Sequence, residues 1–376
     1  MANNGNKAKS SQEGAAVRPV KTGRLFMKQP MMLRMLYALV PVAVAGIYFF
    51  GYRVLALLGV CTLAGLASEW LMARRRGAAI SIACFVTCFL YALSLPPTMP
   101  FWMAVVGIVV GILFGKEFFG GFGRNFANPA IVGRMFVYVA FPIEMTGSFV
   151  PAFSGWPGGF VHWSLTGMAE IPQWLSSAGK GIADAVTSAT PMLAQRDFGF
   201  ETPLSELFFG NIGGLFRVEH GWRVLAAGSI GEVSAGLIIL TGIYLLITRT
   251  ANWRLMASPL LGAVLAAILL RQAAGISAVP WLPTTLFSGA LLYGSVYMVT
   301  EPISAPKTHS AMWVYGFLIG VLIVLLRWKA QFAGAVGFAI LMGNICAPSL
   351  DMLAKSWANR GKTNDGSQVS QKEQQA

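Results

Sequence analysis

Ten apolar runs follow one another along the chain, at approximately 33–50, 54–73, 79–95, 101–118, 129–143, 224–248, 255–270, 281–300, 311–327 and 332–353. A helix of about 20 apolar residues crosses a hydrocarbon core of about 30 Å. In lipid every backbone polar group has to be satisfied internally, which leaves helices or closed barrels as the spanning structures. Runs of this length predict an all-α polytopic membrane protein with about ten transmembrane helices. Composition agrees: 55% of residues are hydrophobic and 11% charged, against about a quarter charged in soluble domains, and the mean hydropathy is +0.62.

The net charge of +13 does not point to nucleic acid, because the basic residues cluster at the ends of the apolar runs. Lys7, Lys9, Arg18, Lys21, Arg24, Lys28 and Arg34 precede or open the first run. Arg74–Arg76 close the second, Lys116 and Arg124 follow the fourth, Arg249 and Arg254 follow the sixth, and Lys355, Arg360 and Lys362 lie in the tail. The alternate short loops are nearly bare, with Arg53 alone after the first run and "SLPPTMP" after the third. The positive-inside rule then puts both termini in the cytoplasm and the segment 145–222 on the outer side. A connection that long is usually functional.

The expected organisation is a basic cytoplasmic arm (1–31), a first helical unit (32–144), the outer loop (145–222), a second helical unit (223–354) and a disordered cytoplasmic tail (355–376). Five runs precede the long loop and five follow it. The units end near "NFANPA" and "NICAPSLD", and an odd number of spans per unit would invert the second copy.

Chemistry-bearing residues are few. Cys61, Cys84, Cys88 and Cys346 all lie in apolar runs, where thiols act as small hydrophobes, and the three histidines have no metal-ligand spacing. No nucleophile–base set, P-loop or zinc motif is present. The densest feature is "GKEFFGGFGRNFANPAIVGR" over 115–134. Non-helical backbone at membrane depth lines a cavity or is buried in protein, so this stretch is either a ligand site or a tight helix–helix turn. Glu69, Glu117, Glu232, Glu301 and Asp351 are acidic residues in or at the ends of apolar runs. Such groups are expensive there and mark ion pathways by default. Glu232, Glu301 and Asp351 are the pathway candidates; Arg134 and Trp102, Trp281 and Trp313 read as interfacial anchors.

Together "SLPPTMPFW", "GKEFFGGFGRNFANPAIVGR", "GSIGEVS", "VTEPISAPKTH" and "GNICAPSLD", with "DAVTSAT" at 184–190 between the units, resemble the NqrB/RnfD family over about 32–354. That family comprises the B subunit of the sodium-pumping NADH:quinone oxidoreductase and the D subunit of the Rnf electron-transport complex. The resemblance implies two inverted five-helix repeats. It further implies FMN joined by a phosphoester to Thr190, with Asp184, Thr187, Ser188 and Ala189 as the residues recognised by a dedicated flavin transferase on the outer side. Ser188 stands where glycine is common. A threonine hydroxyl is a weak nucleophile, so an enzyme is needed to install the link, and the cofactor then carries the electron chemistry.

The resemblance also implies a second, non-covalent flavin, riboflavin, and in the sodium-pumping branch a quinone near the glycine-rich stretch; Lys116, Gly120, Gly121, Asn125 and Asn128 are the residues assigned to that site. Implied partners are the other membrane and peripheral subunits of the complex and Na+ or H+, in the inner membrane of a bacterium. The short arm and "DAVTSATP" favour the Rnf-type D subunit, a ferredoxin:NAD+ oxidoreductase component; "GRNFANPAIVGRMF" and "WVYGFLIGVLIVLLR" are equally similar to the quinone-reductase B subunit. "KAQFAGAVG" replaces a "YPEG"-like turn common to both. A flavin-free solute channel of the same fold is the remaining alternative.

Overall fold

The computed structural model describes residues 26–164, 189–218, 221–276, 278–329 and 334–373. Six helices among them are long and apolar enough to cross a membrane: Pro30–Phe50, Arg53–Arg76, Phe101–Phe119, Trp253–Ala273, His309–Lys329 and Ala335–Asn359. Three shorter apolar helices, Ala83–Leu93, Pro129–Ala140 and Ala235–Ile247, lie between them. The run expected at 281–300 is broken into Leu282–Phe287, Leu291–Tyr293 and a π-helical turn Gly294–Met298. The protein is thus a helical, multi-pass membrane protein.

We label the helices α1 (Pro30–Phe50), α2 (Arg53–Arg76), α3 (Ala83–Leu93), α4 (Phe101–Gly115) and α5 (Pro129–Ala140). Their ends follow local chemistry. α2 stops at Gly77, which is left-handed at φ 64°, with Arg74–Arg76 in the last turn; glycine accepts that conformation without a Cβ clash, and cations suit the negative helix end. α5 starts where the Asn128 side chain accepts from the Ala130 amide and Pro129 takes the first turn, satisfying one orphan donor and wasting none.

Small residues set the tightest crossings. Gly107, Gly111 and Gly115 form one stripe on α4, and a Cβ at each would run into Tyr91, Val137, Gly133 or Pro129. Gly316 and Gly320 on His309–Lys329 press in the same way on Ser258 and Pro259 of the Trp253–Ala273 helix. Association within lipid relies on such close approach, since apolar side chains gain little by leaving hydrocarbon.

α3 ends in mid-structure. Leu93, Ser94 and Leu95 are buried, and the Leu95 carbonyl accepts from the Ile230 amide. The Tyr293 hydroxyl donates to the Leu90 carbonyl at 3.1 Å. The break after α3 and the broken 282–298 stretch therefore meet inside the protein, where non-helical backbone is permitted.

The segment after α5 returns to one end of the bundle. The amides of Tyr52 and Arg53 donate to the carbonyls of His162 and Trp163. The Arg53 guanidinium donates to the Pro97 and Met99 carbonyls, so the turn after α1, the loop after α3 and this segment share an end. A short hairpin, β1 (Leu215–Val218) and β2 (Gly221–Val224), is paired antiparallel with Leu215 opposite Val224. Arg76, Lys116 and Arg124 lie toward the opposite end, as does Arg34, which donates to the Thr248 carbonyl. Ala335–Glu373 is one continuous helix, which carries the last apolar run on into the polar residues that follow it. The nucleus is already formed by the membrane span, each further turn adds hydrogen bonds cheaply, and no proline follows Pro348.

Candidate functional site

Thr190 sits at a junction of elements. Ala189 is bridged to the residues after β2: its amide donates to the Val224 carbonyl, and its own carbonyl accepts from the Ala226 amide. The helix Pro191–Phe198 starts at the next residue, and Thr190 is its N-cap in an extended conformation (φ −67°, ψ 160°). Its carbonyl accepts from Ala194, but its hydroxyl makes no capping hydrogen bond. The backbone is therefore held on both sides, while the half-buried hydroxyl is not spent on capping. Asp184, Thr187 and Ser188 lie outside the described residues.

Thr190 lines a cleft together with Arg134, Ser229, Glu232, Gly289 and Arg327. Ser229 and Glu232 form a capping box around the short 3₁₀ turn Ile230–Glu232, in which the Ser229 amide donates to Glu232 Oε1 at 2.7 Å. Gly228 (φ 89°) clears space for the Glu232 carboxylate and Gly289 (φ 66°) for the Arg327 guanidinium. Arg134 is 7% exposed and reaches Ser229 Oγ at 3.4 Å, and its Nε has no hydrogen-bond partner. Buried donors are almost always satisfied in native proteins, so an orphan here is an opening for a ligand.

A second cavity lies nearer the opposite end, lined by Met31, Thr87, Lys116, Asn125, Asn128 and Glu301 among others. Asn125 donates to Glu301 Oε1 at 3.3 Å, while its own Oδ1 is buried without a donor. Asn128 is spoken for at both ends, capping Ala130 and donating to the Met298 carbonyl at 3.4 Å. Beside the cavity is a buried charge cluster. Lys116 Nζ is 2.5 Å from Glu69 Oε2 and 2.6 Å from Ser81 Oγ, and Ser81 donates its amide and hydroxyl to Glu69 Oε1. Glu117 pairs with Arg76. Among the described residues, no group of three or more His, Cys, Asp and Glu is arranged to hold a metal ion.

With these two cavities defined, relatives place the chain. The profile of the NQR2, RnfD, RnfE family matches residues 24–358. The chain belongs to the NQR2, RnfD, RnfE family. It is similar to the B subunit of the Na(+)-translocating NADH-quinone reductase of Pseudoalteromonas atlantica, 35% identical over 288 residues, 75% of this chain and 62% of the relative. The corresponding protein of Klebsiella pneumoniae subsp. pneumoniae is 35% identical over 72% of this chain and 58% of its own length. The chain thus spans less than two thirds of those B subunits. The D subunit of the ion-translocating oxidoreductase complex of Aeromonas hydrophila is 32% identical over 341 residues, 87% of this chain and 93% of the relative.

In this family member, the residues singled out from sequence separate by place. Thr190 and Glu232 share the first cleft, whereas Lys116, Asn125, Asn128 and Glu301 share the second. Gly120 (φ 106°) and Gly121 (φ 90°) line neither; they make the turn that lets Arg124 and Arg76 fold over it. Asp351 also lies at neither cleft. Its carboxylate accepts from the Lys307 and Thr308 amides and the Thr308 hydroxyl, holding the start of the His309–Lys329 helix. Arg134 is no interfacial anchor, because its side chain is buried and lines the first cleft. A charged residue inside an apolar run was the available signal for it. Arg327 offered none, since basic residues at span ends are ordinary.

Proposed function

We propose that the chain is the FMN-bearing membrane subunit of an ion-translocating oxidoreductase complex, with FMN attached to Thr190 by a phosphoester. The carrying observation is Thr190 itself, a threonine with a pinned backbone and a hydroxyl not spent on capping, at the rim of an arginine-bearing cleft, in a chain of this family. Bound flavin would supply one- and two-electron transfer. The chain supplies placement: Ala189 and Pro191 fix the attachment point, and Arg134, Glu232 and Arg327 set the charge around the cleft.

We place the chain on the Rnf-type, ferredoxin:NAD+ side, as a D subunit, because the Aeromonas relative aligns over 93% of its length. The quinone-reductase B subunit is the second reading, favoured by the higher identity of 35%. On either reading a flavin transferase installs the FMN from the outer side, both termini face the cytoplasm, and the two helical units are inverted copies. The second cavity, with the unpartnered Asn125 Oδ1, fits the N–H of a non-covalent flavin such as riboflavin, or a quinone. We propose Glu301 and Glu232 as groups on the Na+ or H+ path and give Asp351 the helix-capping role.

The test is direct. Co-expressed with a flavin transferase, the denatured wild-type chain should fluoresce on a gel and Thr190→Ala should be dark. A Thr190→Ala band as bright as wild type would sink the attachment. The neighbouring reading frames separate the branches, an iron–sulfur ferredoxin-like subunit marking the first and an NADH/FAD-binding subunit the second.

A further inference from the structure

Among the described residues, the first cleft carries more positive charge than negative. Arg134 and Arg327 both line it, and Glu232 is the carboxylate they share; Arg196 also lines it but is matched by Asp197 at 2.6 and 2.9 Å. Among the described residues, no carboxylate comes within 4.0 Å of either Arg134 or Arg327. Glu232 spends Oε1 on the Ser229 amide. Among the described residues, Arg327 makes long contacts, 3.4 Å to the Thr285 carbonyl and 3.9 Å to Met192 Sδ. Arg134, almost wholly buried, leaves its Nε without a partner. Two guanidiniums face one carboxylate at a depth where unbalanced charge is expensive. A guanidinium presents paired donors suited to a planar anionic edge.

We propose that Arg134 and Arg327 form an anion site for the N1–C2 carbonyl edge of the reduced flavin carried on Thr190, and so raise its reduction potential. The inference rests on the flavin assignment above and adds to it. Oxidised flavin is neutral at this edge. Two electrons, from an upstream reduced flavin or iron–sulfur centre of the complex, and one proton taken up at N5 leave the ring with one negative charge at N1. That charge balances the surplus guanidinium, so the cleft stabilises the reduced form over the oxidised one. The phosphodiester carries the same sign, but it is bonded to Thr190 at the half-buried rim, whereas Arg134 is 7% exposed.

The full-length chain, loaded in cells by a flavin transferase and stripped of non-covalent flavin, is titrated with dithionite and followed by visible absorbance. Gel fluorescence reports loading separately. Arg134→Gln and Arg327→Gln should each lower the ratio of reduced to oxidised flavin at a fixed potential by at least tenfold, about 30 mV for a two-electron couple. Arg134→Lys and Arg327→Lys should stay closer to wild type. Glu232→Gln should move the ratio the other way, a sign that damaged packing does not produce. If a glutamine variant fails to accumulate, Glu232→Gln decides: a raised ratio supports the site and an unchanged one overturns it. Ratios within twofold of wild type in all loaded variants, or reduced loading with an unchanged potential, as for a phosphate clamp, would overturn the inference. A dark wild-type chain would instead remove the flavin assignment beneath it.

Discussion

Removing the Lys116 ammonium isolates one of the most buried charges in the protein. Lys116 and Glu69 are 2% and 3% exposed, and Nζ lies 2.5 Å from one carboxylate oxygen. Lys116→Met keeps the stem's volume and deletes the charge. Breaking a buried pair from one side typically costs about 3–5 kcal/mol, mostly because the surviving charge is left without a counter-ion. Here Glu69 would retain two donors from Ser81, at 2.8 and 2.7 Å, so the expected loss is nearer about 3 kcal/mol. Deleting both charges in Lys116→Met/Glu69→Gln removes that penalty, and about 2 kcal/mol should return. Tryptophan fluorescence during denaturation in mixed micelles reads the four corners of this cycle. A loss under about 1 kcal/mol in Lys116→Met, or effects that add within about 0.5 kcal/mol, would refute the reasoning.

Four further outcomes follow from the structure. Gly111→Ala drives a Cβ into the Pro129 carbonyl and Gly133, and overpacking there should destabilise by about 1–3 kcal/mol in the same denaturation assay. Asp351→Ala should cost about 1 kcal/mol as a lost cap, with Asp351→Asn milder; Glu301→Gln should instead slow ion-coupled turnover more than it lowers flavin content, measured in proteoliposomes. Asn125→Leu removes the orphan acceptor in the second cavity and should lower non-covalent flavin at least tenfold by acid extraction, leaving the gel-fluorescent, covalent flavin unchanged.

Much of the fold is legible in the amino-acid sequence. Hydropathy marks the membrane class, and each expected apolar run corresponds to a helix or a broken helix in the fold. Pro96, Pro97 and Pro302 flag the places where backbone leaves the helix. The glycine-rich stretch does line a cavity, but it divides by side chain: Asn125 and Asn128 reach the cavity, whereas Gly120 and Gly121 shape a turn behind it. The last helix runs past its apolar part because polarity alone does not prevent a helix. One already nucleated in the membrane propagates through polar residues.

What the sequence by itself determined is whatever depends on local pattern: apolar length, the charge bias at span ends, and the family motifs, "DAVTSAT" among them. Hydropathy and motif spacing act over a turn or a loop, and they survive in the string of letters. Only the tertiary structure decided that Arg134, Glu232 and Arg327 share one cleft with Thr190, and that Glu69 and Ser81 neutralise Lys116. Those groups come from elements separated by up to almost two hundred residues. In a low-dielectric interior their energies depend on which charges end up a few ångströms apart, and helix packing sets those distances.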